Sequence, residues 1–105
     1  MPFIDTHALE PRTDRPGWRG HIFSSPSMTF AHWEFEPGAT VHLHSHPQEE
    51  VWHIVEGELE VTIAGETAIA GPGMAAIVPA ETPHAVKALT AGKAIIADYP
   101  LREGF

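Results

Sequence analysis

The sequence predicts an all-β barrel or sandwich, and three observations carry that expectation. Nine short stretches alternate apolar and polar side chains or concentrate β-branched and aromatic residues, the pattern of strands. Tight-turn signals separate most of them: Pro37-Gly38, Glu56-Gly57-Glu58, Ala64-Gly65-Glu66, Gly71-Pro72-Gly73, Glu81-Thr82-Pro83 and Ala91-Gly92-Lys93. No stretch carries a heptad, a sequence repeat or a convincing helical period, so no helix is required.

In chain order, residues 1–20 carry Pro2, Pro11, Pro16 and Gly17 with little periodicity, and read as an N-terminal arm with room for one short strand. Residues 21–105 read as a single barrel domain, with strands over 21–24, 27–36, 40–46, 49–56, 58–64, 66–70, 73–78, 84–89 and 94–99. In the second strand Trp33 and Phe35 alternate with His32, Glu34 and Glu36, and the pattern leaves open which row faces inward. In the fourth, Trp52 and Ile54 share parity with Glu50, while Val51, His53 and Val55 point the other way.

Composition bounds the function. A chain of 105 residues has room for one core and no second catalytic module. No apolar run approaches the roughly 20 residues of a membrane span, and the start lacks a basic-then-apolar leader, so a cytoplasmic location is expected. The absence of cysteine removes disulfides and thiolate chemistry and leaves nitrogen and oxygen as metal donors. A formal charge of −8 with only six Lys and Arg argues against nucleic-acid and anionic-membrane surfaces, which need clustered basic residues.

The most specific stretch runs from Gly38 to Gly57 and reads G-x5-H-x-H-x3-E-x6-G, with His44, His46 and Glu50 framed by two turn glycines. At i and i+2 of a strand, His44 and His46 project from one face and can converge on one ion. Pro47-Gln48 interrupts the strand and lets Glu50 return its carboxylate from the next. His84, closing the stretch that begins at Gly73, is delivered by another hairpin as a fourth ligand, with Pro79 and Pro83 bracketing the turn before it. His42 shares parity with His44 and is a candidate substrate contact, and Trp52 is a candidate wall of the same cavity.

These two stretches resemble the paired motifs of the cupin superfamily of small double-stranded β-helix, or jelly-roll, barrels. Glu81 stands where the family often has glycine and Ala88 where it often has asparagine, and neither departure removes a ligand. The resemblance implies that His44, His46, Glu50 and His84 hold one divalent transition metal, with iron, manganese, nickel, zinc and copper not distinguished. The ending Pro100-Leu101-Arg102-Glu103-Gly104-Phe105 resembles, more weakly, the cupins that open unsaturated uronates in pectin and alginate breakdown. Arg102 is the residue that carries over from them, as a clamp for a substrate carboxylate, while Asp98 and Tyr99 are candidate proton carriers beside the metal.

Three functions follow as expectations. The first is a metal-dependent enzyme acting on a small anionic or oxygen-rich, sugar-acid-like molecule by isomerase, lyase or ring-opening chemistry. The second is a dioxygenase using the same metal site, and the third a non-enzymatic small-molecule-binding module with a filled or closed cavity. An extended arm, edge strands and Trp18, Trp33 and Trp52 in so short a chain point to a homodimer.

Overall fold

A computed structural model describes residues 2–105. The strands are β1 (Trp18–Ser24), β2 (Thr29–Phe35), β3 (Thr40–His44), β4 (Glu49–Glu56), β5 (Leu59–Ile63), β6 (Glu66–Ala70), β7 (Ala75–Val78), β8 (His84–Ala88) and β9 (Gly92–Tyr99). All pairings are antiparallel, in a five-stranded sheet of order β1-β2-β9-β4-β7 and a four-stranded sheet of order β3-β8-β5-β6. This is a jelly-roll barrel, all-β among the described residues apart from one 3-10 turn at Thr6–Ala8. Among the described residues no helix is long and apolar enough to cross a membrane.

Alternation explains the core. Trp33 and Phe35 face inward, each 3% exposed, so the row left open by the sequence is settled and His32 and Glu34 lie on the outer surface of the sheet. Trp52, Ile54 and Ile96 from the same sheet meet Leu59, Val61 and Val86 from the other. Complete burial of side chains such as Ile54, Leu59 and Ile96 contributes about 1.5 to 3 kcal/mol each.

β1 begins at Trp18, three residues before its predicted start, because Arg19 and Gly20 continue the register opposite Glu34 and Trp33. Gly20 looks like a strand breaker in the sequence, yet here it makes room: a Cβ would sit 2.4 Å from Cε3 of Trp33. The three glycines of the two motifs, Gly38, Gly57 and Gly73, all have positive φ, which explains glycine at those turns. Glu81 holds the same left-handed region at φ 61, without glycine's freedom.

Candidate metal centre

Three histidines arrive from three places. His44 ends β3, His46 follows it in the connection to β4, and His84 opens β8 directly opposite His44. Their ligand nitrogens all lie within 4.8 Å of one another, and ring centroids are 4.3 Å (His44 to His84), 4.9 Å (His46 to His84) and 5.4 Å (His44 to His46) apart. Each Nδ1 is engaged by a nearby backbone carbonyl: His42 O at 2.7 Å for His44, Gln48 O at 3.0 Å for His46, Thr82 O at 2.9 Å for His84. A carbonyl only accepts, so the proton of each neutral ring is at Nδ1 and the bare lone pair is at Nε2.

Glu50, 2% exposed, stands beside them at the start of β4. Its Oε2 accepts from Trp52 Nε1 at 2.8 Å and its Oε1 from Arg102 Nη1 at 3.0 Å. The same oxygens lie 3.1 Å from Nε2 of His84 and 3.5 Å from Nε2 of His46. Even so, both of those nitrogens are buried without a hydrogen bond, as expected when the ring proton sits on the far side. Two buried, bare imidazole nitrogens facing a carboxylate suit a divalent cation, so the donor set fits a metal.

The electrostatics follow from this crowding. Burial pushes the Glu50 carboxyl up, but its contacts with His84, Asp98 and Trp52 outweigh it and hold the group at about 2. Burial, followed by the bond and charge of Glu50, pushes Asp98 up to about 7, with Arg102 opposing. His44 and His46 are lowered, first by burial. Burial also opposes charging of His84, yet its contact with Glu50 and its bond to Thr82 raise it above the usual imidazole value.

The other predicted residues divide. Asp98 is fully buried opposite Glu50, and its Oδ2 lies 3.3 Å from Arg102 Nη1, so the Asp98–Arg102 pair is internal. Arg102 also donates its backbone N–H to Thr29 Oγ1 at 3.0 Å, a partner that carried no signal in the sequence. Trp52 lies at the core side of the centre and braces Glu50.

Tyr99 goes elsewhere: it is 56% exposed, on the face of β9 opposite to Asp98, because successive strand residues alternate. His42 is exposed, and it is Val41 that shares the inward face with His44. A register shift between Val41 and His44, three positions on β3 against two on β8, breaks the simple alternation that linked His42 to the ligands. The His42 ring nonetheless stays 5.2 Å from that of His44.

Beside the histidines is a small cavity of about 20 Å³, lined in part by Arg15, Trp18, Trp33, Trp52, Arg102 and Phe105. Arg15 gave no signal, since it sits in the Pro- and Gly-rich arm.

A jelly-roll barrel with a half-buried to buried histidine cluster defines a class of small β-barrel proteins whose interior could hold a metal. The profile of the cupin domain matches residues 31–98, and this chain belongs to the cupin family. An RmlC-like cupin from Shewanella frigidimarina superposes with a TM-score of 0.91 at 24% identity, over 98% of this chain and 94% of that one. KdgF from a Halomonas species gives 0.88 at 26% identity, over 98% and 96%. Oxalate decarboxylase of Bacillus subtilis, studied for its Mn(II) centres, gives 0.84 at 21% identity; the match covers 97% of this chain but 30% of that one, and carries the fold alone. No curated protein matches the chain.

Proposed function

We propose that His44, His46 and His84, with Glu50 as fourth ligand, hold one divalent transition metal, and that the centre serves an enzyme acting on a small anionic molecule. The observation that carries this reading is the pair of buried Nε2 atoms of His46 and His84, which face the Glu50 carboxylate without a hydrogen bond while every Nδ1 is tied to a carbonyl. Such a metal supplies Lewis-acid polarisation of a bound oxygen. The chain's own residues do the rest. Arg102 is the carboxylate clamp: Nη1 is held by Glu50 and Asp98, and Nε and Nη2 make no hydrogen bond among the described residues. Asp98 does not line the cavity and acts as a positioning residue for Arg102 and Glu50. Trp52 is a wall and brace. Isomerase, lyase or ring-opening chemistry on a small acid fits this arrangement, and the same ligands would serve a dioxygenase.

The non-enzymatic module is favoured by one observation, the nearly filled cavity beside the histidines. Elemental mass spectrometry on protein purified without chelator or histidine tag, beside the His46→Ala variant, tests the metal. Near-stoichiometric metal that disappears in the variant is expected; full metal retention by His46→Ala would sink the ligand assignment. Turnover under anaerobic conditions would set the dioxygenase reading aside.

The finer expectations of cytoplasmic location and homodimer belong to the same proposal. Val55, Ile77 and Tyr99, 42%, 63% and 56% exposed, share the outer face of β4, β7 and β9, a surface suited to a second copy. Light scattering that gives a monomer at all working concentrations would refute the dimer.

A further inference from the structure

Phe105 is an unusual neighbour for a metal centre. Its side chain is 5% exposed, although it lies in a segment with no strand of its own. The ring sits 6.2 Å from Trp33, under the guanidinium of Arg102 at 4.6 Å and that of Arg15 at 5.9 Å. What remains beside it is the cavity of about 20 Å³, room for little more than one water. No ligand larger than that reaches His44 and Glu50 from this side while the ring is in place.

Two of the tail's three anchors lie short of the ring. Arg102 N–H is held by Thr29 and the Leu101 carbonyl by Gln48 Nε2 at 3.1 Å. Beyond these, Gly104 turns the chain inward at φ 68, and Arg12 donates to the main-chain oxygen of Phe105. Withdrawal of the ring breaks the Arg12 bond to Phe105 and turns about Gly104, while the anchors at Leu101 and Arg102 stay in place.

The space it would vacate has a definite chemistry. Trp18, Trp33, Trp52, Val41 and Ile96 make it apolar and largely aromatic. Trp18 and Trp52 have already committed their indole N–H groups, to Thr40 O at 3.1 Å and to Glu50. Besides His44, a proposed metal ligand, and Glu50, whose oxygens are engaged, the polar groups of this lining are cationic, on Arg15 and Arg102. A polyhydroxylated sugar acid would bury several hydroxyls here without partners, each at a cost of about 1 to 3 kcal/mol. A carboxylate on a flat apolar body would place its charge on the arginines and its body against the tryptophans.

We propose that the Phe105 ring stands in the place of a ligand's apolar body, so that this site takes a small carboxylate bearing an aromatic or similarly flat apolar group. The inference rests on the reading of the metal centre given above and narrows its substrate class away from sugar acids. In the resting protein the ring is a competitor for its own site, and the apparent affinity for such a ligand is reduced by the fraction of molecules in which the tail is seated.

Tryptophan fluorescence titrations with phenylacetate, D-galacturonate and benzyl alcohol test this on the unsubstituted protein and on Phe105→Ala. Phenylacetate should bind more tightly than either comparison compound, and Phe105→Ala should tighten it about tenfold, the gain expected if the ring is seated in about nine molecules of ten. Tighter binding of galacturonate than phenylacetate, or phenylacetate affinity unchanged or weakened in Phe105→Ala, would overturn the inference. Should circular dichroism show that Phe105→Ala has not folded, the order of the three affinities in the unsubstituted protein decides alone. Metal content is measured on the same samples, before and after chelation. Bound metal with no phenylacetate binding sinks this inference and spares the metal centre; phenylacetate binding by protein that never takes up metal removes the metal reading and, with it, the substrate class inferred here.

Discussion

The two ends of the strands are built on opposite principles. At one end Phe35, Leu59 and Ala88 bury apolar side chains between the sheets. At the other, Thr29, Glu50, His84 and Asp98, the four buried polar residues among those described, meet within a few positions of one another. The apolar end gains free energy by removing area from water. The polar end loses solvation on every group and recovers it only through mutual bonds, so each of its members depends on the others. Stability is thus concentrated at one end and chemistry at the other.

The largest separation of the two should come from Leu59→Ala, which leaves a cavity in the closed end and costs about 2 to 5 kcal/mol in urea unfolding. Metal stoichiometry should be unaffected; loss of metal in this variant would show that the ends are not independent. Conversely, added metal at a hundredfold excess over its Kd should stabilise the unsubstituted protein by about 2.7 kcal/mol and leave His46→Ala unmoved in the same melt. Equal stabilisation of both would place the metal elsewhere.

Thr29→Val keeps the shape of the polar end but removes the acceptor of the Arg102 N–H, with an expected loss of about 1 to 3 kcal/mol. A loss below about 0.5 kcal/mol would mean that the tail finds another acceptor. Glu81→Gly should work in the other direction. Its N–H donates to the His46 carbonyl at 2.8 Å, a bond glycine preserves, while the left-handed strain disappears, for a net gain of about 0.5 to 1 kcal/mol after glycine's own entropy. Destabilisation would show that the Glu81 side chain contributes more than its exposed position suggests.

The smallest effect belongs to the outer surface. Burial, then the charges of His21 and His7, hold His32 below the usual imidazole value. His21 lies opposite it on β1 and Ile95 on β9, with Glu34 and Lys93 lining the same shallow site. The unfolded ring takes up its proton near 6.5, before the folded one. This contribution is therefore present above that pH and lost as the pH falls through it, levelling off below the folded value. His32→Gln should flatten that part of the stability profile, and an unchanged slope would return the effect to other histidines.

How much of this was legible in the sequence differs from residue to residue. The nine strands and the pairing of His44 with His46 rest on local periodicity and on turn residues with positive φ, both written in short stretches of sequence, whereas the arrival of His84 was legible only through the resemblance to paired cupin motifs. His42 was misplaced because a bulge adds one residue to β3, and nothing in Val-His-Leu-His marks where the register shifts. Tyr99 was grouped with Asp98 by proximity in the chain, although alternation along β9 sends the two to opposite faces.

By itself the sequence determined the all-β class, the order of the strands and the residues able to donate to a metal, because each depends on side-chain type and spacing within a few residues. Only the tertiary structure decided that Trp33 and Phe35 face inward, that Arg102 bridges Glu50 and Asp98, and that Phe105 fills the space beside the histidines. These are contacts between residues tens of positions apart or choices between two faces of a strand, and they are settled by which sheet packs on which and by the volume left between them.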